Sequence, residues 1–154
     1  MNKKINYLLV SILLSISAFI YLSVHHYSIK SGAGGMSLCS LSATVNCDAA
    51  ALSSYSELFH IPIAVLGGVF QLVLFFFVLF YKVGWVDATL YARNTIRFQL
   101  LLSALTSLVM GVISLAIIKV TCPFCFATYL FSFISLILGW SIVETAQTDF
   151  DISL

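Results

Sequence analysis

"TCPFCFATYLFSFISLILGWSIV", from Thr121 to Val143, sets two cysteines and a proline at the head of an uncharged apolar run. Phe126–Val143, lengthened by the Cys122–Cys125 turn, is enough for a bilayer core, which takes about 20 helical residues at a rise of about 1.5 Å each. Three other uncharged stretches are as long: Ile5–Val24, Ile61–Tyr81 and Phe98–Ile118. Of the 154 residues 61% are hydrophobic and 8% charged, against about 25% charged in a soluble domain. The expected fold is therefore an all-α membrane protein, a four-transmembrane-helix bundle forming one domain over 1–154. Its spans are expected at about 5–24, 61–81, 98–118 and 122–143, with an outer redox loop at about 28–60. A net charge of +1 gives no support to nucleic-acid binding, and 4 cysteines are too few for a disulfide scaffold.

The first stretch also has the look of a signal peptide, with Lys3 and Lys4 ahead of it and Ser31, Gly32 and Ala33 mimicking a cleavage site. Its apolar run exceeds the usual ~7–15 residues of such a segment, which favours a retained span. Basic residues orient the bundle. Lys3, Lys4, Lys82, Arg93 and Arg97 fall on the side of the N-terminus, and Lys30 and Lys119 on the other. Both termini are thus expected in the cytoplasm.

Cys39 and Cys47 follow the first span, and Cys122 and Cys125 the third. Both pairs come after an odd number of crossings, so all four cysteines are expected on the outer side. In a bacterium that side is the oxidising periplasm, in a eukaryote the lumen of the endoplasmic reticulum. Packed membrane cysteines without chemistry would instead scatter along the spans. Pro123 suits the first turn of a helix, where its missing N–H is not needed. Thr121 or Cys122 then stands near the cap, where backbone N–H groups and the helix dipole stabilise a thiolate. A zinc site is the competing reading of four cysteines. The C-x7-C spacing of Cys39 and Cys47 is loose for it, and His25, His26 and His60 are not spaced with the pair, so no metal is expected. Cys39–Cys47 as an inert staple of the loop remains the other reading of the first pair.

The loop from Ser28 to Pro62 divides in two. Ser31–Gly35 is small and flexible in composition, a hinge-like approach to Cys39, so that a moving pair hangs over a fixed one. After Cys47, Asp48 is placed to cap a short helix. Ala51, Leu52, Tyr55, Leu58 and Phe59 share one helical face, with Ser53, Ser54 and Glu57 on the other. This predicts a half-helix on the membrane surface. Ile61-Pro62 then opens the second span, again with proline in the first turn.

Two electrons leaving Cys122 and Cys125 need an acceptor, and the membrane offers a quinone. Tyr129 lies one turn beyond Cys125 on the same helix face. Its hydroxyl is placed either to donate to a quinone oxygen or to anchor the ring at the membrane interface, and spacing does not choose between these. Gly67, Gly68 and Gly111 suit close helix packing.

The loop cysteines ending "NCD", then "LSSYSELFHIPIAVLGG", then "TCPFCFATY" resemble the vitamin K epoxide reductase family, its bacterial branch most of all. The motifs run from Cys39 to Tyr129, and the order of spans agrees over nearly the whole chain. The resemblance implies that Cys122 and Cys125 are the active-site pair, with Cys125 nearer the quinone. It implies that Cys39 and Cys47 are a shuttle pair, Cys47 exchanging with Cys122 and Cys39 engaging a partner's thiol. Tyr129 matches a quinone-facing tyrosine, and Ser56 falls at a small polar quinone-side position. The implied acceptor is a quinone of the ubiquinone or menaquinone type, and the implied donor is a thioredoxin-fold thiol oxidase. Two departures are visible. His60 stands where relatives often have glycine, and the chain reaches Leu154 without the fused thioredoxin-like domain of many relatives, so the donor is expected to be a separate protein. Another bacterial disulfide-generating family also has four spans, but carries its C-x-x-C in the first outer loop. The alternatives from other classes are a thiol-bearing metal transport or metal-binding membrane protein and a structural subunit with inert disulfides.

Overall fold

The computed structural model describes residues 2–32, 42, 44–85 and 90–152. Four helices are long and apolar enough to cross a membrane, with candidate spans Lys3–Lys30, Ile63–Val83, Tyr91–Ile118 and Pro123–Ile142. The fold is thus the expected four-helix membrane bundle. In chain order the elements are α1 (Asn2–Lys30), α2 (Cys47–Ala51), β1 (Glu57–Leu58), β2 (Ile61–Pro62), α3 (Ile63–Val83), α4 (Leu90–Val112) and α5 (Pro123–Ile152). Between α4 and α5 the chain continues as a π-helical stretch, Ile113–Ile118, which Lys119 ends at a φ of 56°.

α1 is the central pillar. It packs against both α3 and α5, and α4 packs mainly on α5, so α3 and α4 make only a sparse contact. The fit of α1 to α3 depends on Gly67, where an added Cβ would lie 2.6 Å from the Phe19 ring. That is the close packing small residues allow between membrane helices. Serines join the helices elsewhere: Ser11 Oγ of α1 lies 3.0 Å from Ser135 Oγ of α5. The solid core, Ile5, Leu8, Leu9, Ile12, Leu74, Val78, Ile96, Leu100 and Ile142, occupies the end where α1 starts. The cysteines lie at the other end.

α1 runs six residues past Val24, to Lys30. Its last turns are held by partners from the loop. His26 Nε2 lies 2.8 Å from Glu57 Oε1, and Lys30 Nζ bonds the same oxygen. These two groups, Lys30 first, hold the Glu57 carboxyl below its usual range.

The surface half-helix exists, but it is shorter than its sequence face suggests. α2 ends at Ala51, and Tyr55, Leu58 and Phe59 lie beyond it. Serine hydroxyls take the carbonyls that would continue it: Ser53 Oγ donates to Ala50 O at 2.8 Å, and Ser56 Oγ to Ala51 O at 2.6 Å and Ser53 O at 2.8 Å. Such local bonds compete with helix. The chain then makes a hairpin, β1 on β2, with Glu57 opposite Pro62 and Leu58 opposite Ile61. Its two turn residues, Phe59 and His60, have φ of 53° and 66°, the pattern of a tight hairpin turn that glycine and asparagine favour. His60 is therefore a non-glycine residue in a glycine conformation. Pro62 does not sit in the first turn of α3 but caps it, at φ −57° and ψ 131°.

Candidate functional site

The site is built on a backbone splice between the loop and the start of α5. Thr121 N donates to Thr44 O at 2.7 Å, and Asn46 N donates to Thr121 O at 3.2 Å, so Val45 runs parallel to Thr121. Asn46 then caps α2, its Oδ1 accepting from Asp48 N at 2.9 Å and Ala49 N at 3.1 Å. The cap is therefore Asn46, not Asp48. Pairing with Thr121 fixes Asn46 in an extended conformation, φ −149° and ψ 108°, which a cap residue needs. Asp48 instead puts Oδ1 2.9 Å from His25 Nε2 on α1. Cys47, the first residue of α2, is 1% exposed.

Pro123 is the first residue of α5, as the sequence suggests, so Cys122 occupies the position before it. Cys122 Sγ accepts from Cys125 N at 3.3 Å, a sulfur doing the work of a cap. Phe124 stacks on Tyr21 of α1, ring centroids 4.2 Å apart, which fixes this first turn against the pillar. Cys122, just ahead of the span, has its thiol held below the usual thiol range. The Cys125 thiol bonding its sulfur is the main cause, and the backbone N–H groups of Cys125 and Phe124 add to it against the effect of burial.

The two halves meet at sulfur. Cys47 Sγ lies 3.2 Å from Cys122 Sγ, with both residues buried. Cys47 is disulfide-bonded, while Cys122 and Cys125 are free thiols. Cys39 and most of the Ser31–Gly35 approach lie outside the described residues. The picture of a moving pair above a fixed one does not hold for Cys47, which is anchored by splice, cap and burial.

Beside the sulfurs the bundle borders a cavity of about 390 Å³. Cys47, Cys122, Cys125, Tyr129 and Ser56 all line it. Tyr129 lies one turn beyond Cys125, its ring 3.6 Å from where a Cβ on Gly111 would be. The Ser56 hydroxyl proton is committed to loop carbonyls, so toward the cavity Ser56 offers only an acceptor.

Two features escaped the sequence reading. The first is Gln71 on α3, which lines the cavity and is 2% exposed. Its signal was there, a single amide in the run from Ile61 to Tyr81. The second is the set of loop contacts to His25, His26 and Lys30, which has no local signature because partners lie 23 to 31 residues apart.

The four described members of the expected redox and quinone set with sulfur or phenol, Cys47, Cys122, Cys125 and Tyr129, thus share one cavity wall. A search of curated proteins found no match. Among protein families, the model of the vitamin K epoxide reductase family matches residues 6–140. That family carries oxidoreductase chemistry on thiols, linked to a quinone. With the match covering four spans and both ends of the sulfur contact, the chain belongs to the vitamin K epoxide reductase family.

Proposed function

We propose that the chain generates disulfides, passing electrons from a thioredoxin-fold thiol oxidase through Cys39 and Cys47 to Cys122 and Cys125, and on to a membrane quinone of the ubiquinone or menaquinone type. It is read as a member of the bacterial branch of that family. Its place is the bacterial inner membrane, with both termini cytoplasmic and the cysteines facing the periplasm. The observation that carries this reading is the 3.2 Å contact between Cys47 and Cys122 sulfurs at the wall of a membrane-embedded cavity.

Exchange needs a thiolate in reach of a disulfide sulfur. A partner thiolate attacks Cys39 of the Cys39–Cys47 disulfide, and Cys47 leaves as thiolate. The second partner thiol, as thiolate, attacks the sulfur bound to Cys39. The partner's disulfide forms and Cys39 leaves as thiolate. Cys47 attacks Cys122 of the Cys122–Cys125 disulfide, that bond breaks, and Cys125 takes the electron pair. Cys39 then attacks Cys47, which restores the loop disulfide and frees Cys122 as thiolate. The Cys125 thiol and, after it, the helix N–H groups hold Cys122 below the usual thiol range, which makes it a good leaving group at this step. A bonded Cys47 beside free Cys122 and Cys125 corresponds to the state after this transfer.

The cavity fits a quinone. It is in the ~300–1,000 Å³ range of ligand sites, its wall is largely apolar, and it holds a buried amide oxygen, Gln71 Oε1, without a protein partner. Cys125 and Tyr129 are the residues that would hold the head group, Tyr129 by donating its hydroxyl. A bound quinone supplies an acceptor for two electrons and two protons.

The test is a double variant, Cys39→Ser with Cys125→Ser. Without either resolving thiol, Cys47 and Cys122 are expected to collect as one disulfide, seen by peptide mass spectrometry after mild oxidation. Two unmodified thiols under conditions that oxidise a free dithiol would overturn the exchange.

A further inference from the structure

Gln71 sits where the cavity meets the solid core. Leu74, one turn further along α3, is fully buried, and so is Leu100, one turn before Ser103 on α4. The amide is part of a one-way chain of hydrogen bonds. Gln71 Nε2 donates to Ser103 Oγ at 3.0 Å, Ser103 Oγ donates to Ser132 Oγ at 3.3 Å, and Ser132 Oγ donates to Thr128 O at 2.9 Å. Each hydroxyl has one proton, and the chain uses both. Ser103 can therefore meet the amide only as an acceptor, which fixes the nitrogen of Gln71 toward it. The oxygen, Oε1, is left buried and unpaired. An orphaned acceptor in an apolar site costs about 1–3 kcal/mol, and in the middle of a membrane no bulk water relieves it.

What satisfies a carbonyl is a donor. Of the two forms of a para-quinone, the oxidised one presents only acceptors and the reduced one presents two O–H groups. We propose that Gln71 recognises the hydroquinone, accepting a hydrogen bond from one hydroxyl and so favouring the reduced over the oxidised form in the cavity. This rests on the quinone reading above and deepens it. Tighter binding of the reduced form raises the midpoint potential of the bound couple and makes it a stronger oxidant of Cys122 and Cys125. The Gln71–Ser103–Ser132–Thr128 chain is the device that sets this preference, because it dictates which face of the amide is offered.

The experiment uses the purified full chain in lipid nanodiscs, with a short-tailed benzoquinone and its hydroquinone as probes. Binding of each form is measured by equilibrium dialysis, with no turnover. Wild type is expected to bind the hydroquinone more tightly. In Gln71→Leu the hydroquinone should weaken about threefold to tenfold, the worth of one hydrogen bond, while the quinone changes less than about twofold. A tenfold change in that ratio is about 30 mV for a two-electron couple. Ser103→Ala, a milder change, should shrink the preference in the same direction by freeing the amide to turn. Equal weakening of both forms, or an unchanged ratio in the variants, overturns the role of Gln71 and leaves the quinone site standing. Should the wild-type protein bind neither form, the quinone reading itself falls and this inference with it.

Discussion

Where α1 begins and α5 nears its end, Ile5, Leu8, Ile12, Leu74, Leu100 and Ile142 are all at most 4% exposed and fill the space between the helices. At the opposite end the same four helices and the loop border a cavity of about 390 Å³, whose largely apolar wall also carries sulfur, hydroxyl and amide groups. The first region is held mainly by side-chain packing. The second is held largely by bonds to main-chain groups: a two-bond splice at Thr121, the Asn46 side-chain cap of α2 and a helix start at Pro123. Side-chain packing gives way at the cavity, and hydrogen bonds to main-chain groups take over the fixing of position.

The comparison breaks most visibly if changes at the two ends are not separable. Cys122→Ala or Cys125→Ala should abolish quinone-coupled oxidation of a dithiol and leave thermal stability in detergent within about 1 kcal/mol, since a small side chain is trimmed beside a cavity. Leu100→Ala should do the reverse, costing about 2–5 kcal/mol of stability while Cys47–Cys122 exchange persists below the melting transition. Wild-type turnover in either cysteine variant removes the central claim.

A finer cut tests the backbone fixing. Asn46→Ala deletes both cap bonds and should cost about 1 kcal/mol. Because that loss is local to Cys47, it should read out as a roughly fivefold lower yield of the Cys47–Cys122 disulfide in the trapping variant. Loss of global stability with unchanged trapping would show that Cys47 is placed by something else.

Within the hollow end, Tyr129→Phe keeps the ring and removes one hydroxyl. Quinone affinity should fall about threefold to tenfold, the worth of one hydrogen bond, with Cys47–Cys122 trapping unaffected. A quinone titration that matches wild type would leave the tyrosine as an interfacial anchor.

The smallest effect concerns protons. The Cys122 thiol is held below the ordinary range by the Cys125 thiol and by helix N–H groups. A depressed acid contributes stability that is present above its unfolded value and lost as pH falls through the folded one. In the reduced protein the rate of Cys122 alkylation by iodoacetamide should therefore reach half its plateau at a lower pH than for a free cysteine. A midpoint at or above that of free cysteine would contradict the cap.

Much of this architecture was legible. The four uncharged runs announce the spans, because a bilayer core demands length and apolarity in one continuous segment. Counting crossings brings Cys47 to the same side as Cys122, and Pro123 marks the first turn of α5. The illegible parts share one physical cause. The Thr44–Asn46 splice to Thr121 is made by main-chain atoms, which every residue has, so nothing in the side chains marks it. Asn46 and Asp48 are both able caps, and only that pairing decides between them. Leu58 and Phe59 have helical spacing, but Ser53 and Ser56 draw the carbonyls away, and a spacing argument does not weigh that competition. Gln71 was overlooked because a lone amide in an apolar run is read as tolerated, when its lack of a partner is the informative fact.

The splice also bears on how the protein is made. Cys47 and Cys122 are 75 positions apart, and the main-chain bonds that bring them together are both made by Thr121. Contacts between distant parts of a chain form late. During synthesis the loop emerges two spans before its partner, so the bonds to Thr121 that complete the placing of Cys47 form only once the third span has been made and α5 has begun. An incomplete chain therefore lacks the Cys47–Cys122 contact, which forms only in a molecule whose four helices are already in place.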